Sequence, residues 1–95
     1  MKQGFVYFMT NKKRGVIYIG VTADWVRRVF QHKQGMIEGF TKRYRCHTLV
    51  RLEAYETILE AITQEKKLKN MRRAKKIEII ERDNPDWNDL SLHQA

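Results

Sequence analysis

Cysteine is almost missing from this chain: Cys46 stands alone. A single thiol excludes an intramolecular disulfide and any zinc site built from thiolates. Its expected role is that of a small buried hydrophobe. Proline occurs once, at Pro85, and the five scattered glycines mark out no flexible linker. Low-complexity runs and internal repeats are absent. No apolar stretch approaches membrane-spanning length, and the one near the N-terminus is too short for a signal peptide. The expectation is therefore a cytoplasmic protein with no membrane partner. Ninety-five residues suffice for one domain, 1–95, and are too few for two. Acid is also in short supply: 19 Lys and Arg against 11 Asp and Glu leave a formal charge of +8. Such an excess attracts polyanions, of which nucleic acid is the commonest. The competing reading is that the charge serves solubility alone.

What the chain does contain is a succession of short periodic segments. Gly4 to Thr10, rich in Val, Tyr and Phe, reads as a strand. The polar run Asn11 to Gly15 reads as a hairpin loop, and Val16 to Ile19 as a second strand ending at Gly20. A tight loop puts Tyr7 and Tyr18 nearly opposite each other on one face, and a slip of one residue would separate them. Thr22 is the expected N-cap of a helix over residues 23–34 that stops near Gly35. Its apolar stripe is Trp25, Val26, Val29 and Phe30, while Asp24, Arg28 and His32 form a polar row four residues apart. Residues 35–45 read as a basic loop, and 47–54 as a third strand. A helix over 56–69 has Ile58, Leu59, Ile62 and Leu68 as apolar positions, with Glu65 at the stripe's edge. A last helix over 72–82 has Ile77 and Ile80 facing inward, stops before Asn84-Pro85, and leaves Trp87 and Leu90 to fold back on the core. The order β-β-α-β-α-α implies an α+β fold with a small, mainly antiparallel three-stranded sheet flanked by helices.

Several residues recur at suggestive spacings. Phe5-Val6-Tyr7 precedes Tyr18-Ile19-Gly20; Arg28 follows that glycine by eight residues, His32 follows Arg28 by four, and Glu65 lies on a later helix. In this order they resemble the GIY-YIG endonuclease family, the domain also known as URI. Tyr18-Ile19-Gly20 matches the second motif letter for letter. The first motif departs from the pattern, with Gly4 one place early. Relatives in excision repair often carry a lysine where this chain has Val21. Phe40 to Tyr44, Glu60 to Lys69 and Asn84-Pro85-Asp86-Trp87 look like the small stand-alone bacterial branch. The resemblance covers nearly the whole chain. It implies a metal-dependent DNA endonuclease, with a role in repair or recombination, in which Glu65 holds Mg2+ or Mn2+ and Tyr7 is the base.

The residue types suit that chemistry. A hard divalent ion takes carboxylate oxygen and keeps several waters, so one glutamate suffices to hold it. Arg28 stays charged and can grip two phosphate oxygens. Tyr7 or Tyr18 would orient or deprotonate water, and residue types alone do not separate them. Either phenol needs a nearby cation to ionise near neutrality. His32, one turn from Arg28, could relay the proton. Lys42, Arg43 and Tyr44, with Lys66 and Lys69, are the candidate nucleic-acid contacts, and Phe40 and Tyr44 either stack on bases or anchor their loop to the core.

Each residue also has an ordinary role available. Tyrosines in strands are commonly packing residues. Gly20 could serve only a strand-to-helix turn. Arg28 and His32 could form a wet face paired with Asp24, and Glu65 could simply pair with Lys69. Trp25, Phe30 and Trp87 are expected in the core, and His47 at the surface or in a structural role. Two other functions fit the same sequence: a nucleic-acid-binding module without significant catalysis, and an accessory subunit of a repair complex whose specificity comes from a protein partner.

Overall fold

Strand β1, Gly4–Thr10, alternates Val6 and Phe8 on one face with Tyr7 and Met9 on the other, and all four are fully buried. A strand buried on both faces belongs at the centre of a sheet covered on both sides. The computed structural model, which describes residues 2–93, places it there. Strand β2, Ile17–Thr22, and strand β3, Thr48–Tyr55, flank β1 antiparallel in the order β2-β1-β3. Helix α1, Trp25–Lys33, covers the Tyr7 face through Val29. Helices α3, Ile58–Lys69, and α4, Arg73–Asp83, cover the other through Ala61, Leu68, Ile79 and Ile80. The fold is α+β with the element order read from the sequence, plus two short further pieces. A four-residue helix, α2 (Phe40–Arg43), stands inside the basic loop, and a short 3-10 turn closes the described chain at Leu90–His93. Among the described residues no helix is long and apolar enough to cross a membrane.

Several local expectations are corrected. Strand β2 continues past Gly20 to Thr22, so the glycine lies within the sheet and not at a turn out of it. The N-cap of α1 is Asp24, whose carboxylate accepts the Arg27 N–H at 3.2 Å. Thr22 serves one step earlier, its Oγ1 accepting the Asp24 N–H at 3.1 Å. Phe30 and Val26 are 56% and 48% exposed, not core residues. The side of α1 that meets the sheet runs through Trp25, Val29 and His32, which rotates positions 26 and 30 outward. Leu59 is likewise 72% exposed. In α4 the burial falls on Ile79 and Ile80, with Ile77 only half-buried.

Gly35 ends α1 where the sequence implies. Its φ of +67° lets its own N–H reach the His32 carbonyl and the Met36 N–H reach the Gln31 carbonyl, a Schellman termination. The chain then reverses directly after His32. Trp87 is buried, and its indole N–H donates to Glu81 at 2.7 Å. Arg14 binds the same carboxylate through two nitrogens, so the β1–β2 loop is tied to α4 and the Glu81 pKa falls to about 2. Cys46 is fully buried, just ahead of β3.

Asn84 is the polar rivet of the other face. Its Nδ2 donates to the Val50 and Asn88 carbonyls at 3.0 and 2.9 Å, and its Oδ1 accepts the Asn88 N–H at 3.0 Å. Val50 is the residue by which β3 bulges, since Phe8 pairs with Arg51 while Met9 pairs with Leu49. Replacing Asn84 by Ala strands backbone groups at the bulge and at the end of α4. The expected loss is about 2–3 kcal/mol of unfolding free energy by urea titration, at roughly 1 kcal/mol per hydrogen bond. A loss below about 0.5 kcal/mol would mean that Asn84 is not what holds the bulge.

Candidate active site

The site begins with the register of β1 on β2. Tyr7 pairs with Gly20 and Met9 with Tyr18, so the two tyrosines are diagonal neighbours on one face and not directly opposite. Their ring centroids are 6.1 Å apart. A Cβ placed on Gly20 would lie 2.5 Å from both Cζ and Oη of Tyr7, and 2.9 Å from Tyr18 Cε2. The glycine of the Tyr18-Ile19-Gly20 motif is therefore the gap into which Tyr7 folds. No other residue leaves that volume free.

Helix α1 brings His32 over the tyrosines, with centroids 5.5 Å from each ring. The imidazole is 2% exposed and bonded at both nitrogens: Nε2 to the Tyr7 hydroxyl at 2.9 Å, Nδ1 to Thr41 Oγ1 at 2.7 Å. A neutral imidazole has one donor and one acceptor nitrogen, so the tautomer decides the direction of the whole Tyr7–His32–Thr41 chain. Burial, reinforced by the positive charges of Arg28 and His47, holds the His32 pKa down to about 4. Burial and the neighbouring Tyr18 push the Tyr7 hydroxyl well above the ordinary phenol range, and the Arg28 guanidinium opposes that rise without cancelling it. At neutral pH the phenol keeps its proton and the imidazole is uncharged.

Arg28 is half-buried and has no carboxylate partner among the described residues. The carboxylate of Asp24 caps the helix instead, so the wet Asp24–Arg28–His32 row does not form. Glu65 projects from α3, whose Ala61 and Leu68 pack on the Val6 and Phe8 face of the sheet; 13% of its side chain is exposed and its Oε2 lies 3.1 Å from Lys69 Nζ. No bond joins it to Tyr7, Tyr18, Arg28 or His32 among the described residues. Nor is there any group of three His, Cys, Asp or Glu placed to share a metal. One hard carboxylate in a sheltered position still suits an oxygen-seeking ion that keeps its waters, provided Lys69 gives way. Lys42 pairs with Glu38 at 2.8 Å, Arg43 lies 5.4 Å over the Tyr44 ring, and Lys66 is exposed.

Thr41 is the site residue that sequence reasoning passed over. It lay within a segment noted for likeness and basic charge, but nothing in its spacing pointed to His32. The contact depends on the Gly35 reversal and on α2, neither of which has a periodic signal.

Residues 3–78 match the model of the GIY-YIG catalytic domain. A UPF0213 protein of Staphylococcus aureus is 36% identical over 80 residues, and one of Staphylococcus saprophyticus 31%; each alignment spans 84% of this chain and 96% of the relative. The solution structure of a UPF0213 protein from Bacillus halodurans superposes with a TM-score of 0.58 at 26% identity, over 98% of this chain and 99% of that one.

Two outcomes follow from the buried cluster. In Gly20→Ala the added methyl meets a Tyr7 ring already held by His32, and the expected cost is about 1–3 kcal/mol of stability from overpacking. A neutral effect would mean that Tyr7 leaves its place freely. The second concerns pH. In the unfolded chain His32 takes up a proton near pH 6.5, but in the fold only near pH 4. Its contribution is intact above about pH 6.5 and is lost as the pH falls toward 4, at up to about 1.4 kcal/mol per unit. Urea midpoints at pH 7 and pH 5 check this, since His32→Gln should flatten the difference. An equal slope in the variant would show that His32 does not fold in its neutral form.

Proposed function

Because this chain belongs to the GIY-YIG family, we propose that it is a metal-dependent endonuclease hydrolysing phosphodiester bonds in DNA, with a role in repair or recombination. The observation that carries the reading is the convergence of Tyr7, Tyr18 and His32, with Arg28 close by, beside a basic loop. Packing alone does not require a buried phenol bonded to a buried imidazole next to an arginine that has no carboxylate partner among the described residues.

The side chains divide the work as follows. Arg28 receives the phosphate, since no carboxylate among the described residues neutralises its charge. Tyr18, half-buried, is the one of the two phenols that solvent reaches. Tyr7 is wholly buried, and its hydroxyl lies on His32 Nε2, so a proton leaving the phenol has His32 as its immediate acceptor. Thr41 on the far nitrogen can donate to Nδ1 or accept from it, so that nitrogen stays bonded in either tautomer. Magnesium or manganese, held by Glu65, would neutralise charge on the phosphate and on the departing oxygen. Helix α3 packs on β1 and β2, and β2 is the edge strand that carries Tyr18, so a phosphate shared by Arg28 and a Glu65-bound metal would sit at that edge.

The Glu65–Lys69 pair favours a second reading, a nucleic-acid-binding module in which the carboxylate is structural. Supercoiled plasmid and single-stranded DNA incubated with magnesium or manganese separate the two. Cleavage by the wild type, reduced by about 100-fold or more in Arg28→Ala and Glu65→Gln, is the expected result. Unchanged cleavage in Glu65→Gln would remove that residue from the chemistry. Salt-sensitive binding without cutting under either metal would leave the binding module, with a protein partner to be sought.

A further inference from the structure

A row of aromatic rings leads outward from the buried cluster. Phe40 stacks on Tyr18 with centroids 6.1 Å apart and planes 29° apart, and Tyr44 follows at 4.8 Å from Phe40. Arg43 then lies over the Tyr44 ring. Phe40 and Tyr44 remain 43% and 41% exposed, and neither joins either core cluster. Anchoring the loop to the core therefore does not explain them. Thr41 does the anchoring: it is buried and bonded to His32, while the residues beside it present their rings to an open cleft of about 530 Å³. Lys42 and Arg43 share the lining of that cleft with the two rings.

We propose that Phe40 and Tyr44 are a stacking platform for unpaired bases, so that the substrate is single-stranded or locally opened DNA and not continuous duplex. This rests on the nuclease reading only for where the platform leads, namely to a phosphate beside Tyr18 and Arg28. The chemistry of recognition is independent of cleavage. A base in duplex DNA has both faces covered by its neighbours and offers nothing to a protein ring. An unpaired base offers a bare face, and a loop that interleaves rings with cations can take the base on Phe40 or Tyr44 and the adjoining phosphates on Lys42 and Arg43. Because every base has a face to stack, the platform selects strandedness and not sequence.

Binding measured in EDTA tests this, since no cutting occurs. Fluorescence anisotropy is read with a labelled single-stranded 12-mer, the same strand annealed to its complement, and an abasic strand with the same phosphates. The expectation is tighter binding of the single strand than of either comparison. Phe40→Leu and Tyr44→Leu should each weaken binding of the single strand by about 5- to 100-fold while leaving the duplex unaffected. Tyr44→Leu is the safer variant, as Tyr44 does not touch the buried cluster. Equal affinity for the normal and abasic strands, or equal losses on single strand and duplex, would overturn the platform and assign the exposed rings to a protein partner. Base-dependent binding with no cleavage in metal would support the platform while removing the nuclease reading. Cleavage without any base dependence would do the reverse.

Discussion

A buried histidine with both ring nitrogens bonded is the constraint on which the rest of this molecule turns. His32 lies in an apolar layer where an unsatisfied nitrogen would cost about 1–3 kcal/mol. Its partners must therefore arrive from two separate places, Tyr7 from the central strand and Thr41 from the loop that follows α1. Tyr7 reaches it because Gly20 leaves the opposing strand position empty. Thr41 reaches it because Gly35 breaks the helix three residues after His32 and α2 then turns a hydroxyl inward. Strand register, helix length and loop conformation are thus coupled through one imidazole, and the register of β1 on β2 cannot slip without undoing all three.

The same coupling explains what could be read from the chain in advance. Periodicity revealed the strands and helices, since alternation along 4–10 and the 3.6 spacing of later segments are local signals. The Tyr, Tyr, Gly, Arg and His positions were legible through their family resemblance. Thr41 was not, because its role depends on a glycine six residues away and a helix only four residues long. Phe30 and Val26 were misread for a different reason. In α1 the polar His32 takes a core-facing place, so the apolar stripe drawn without it was rotated outward. A hydrophobic pattern fails as a guide to burial where a hydrogen-bonded polar side chain occupies the core.

Charge is distributed with the same selectivity. Glu81, Glu53, Asp83 and Asp89 bind cations that brace the fold, and Glu38 pairs with Lys42 near the aromatic loop. Among the described residues Arg28 is left with no such partner. An arginine close to a carboxylate would have to break that pair before gripping a phosphate, whereas an unpaired one exchanges water for phosphate directly. The positive excess noted in the composition is diffuse, but its one half-buried member beside the tyrosines is the charge that can act on a bound anion.

Residues 39–44 join the interior to the exterior. Thr41 is tied to the proton-carrying chain, and Phe40 and Tyr44, immediately around it, form the outer stack with Tyr18 at its base. Phe40 and Thr41 are neighbours on one short helix, so a shift of its backbone that carries Phe40 away from Tyr18 also strains the Thr41–His32 bond. On the proposed reading, the base-stacking surface and the bond that holds the buried imidazole therefore belong to one short segment, which keeps the two in a fixed relation.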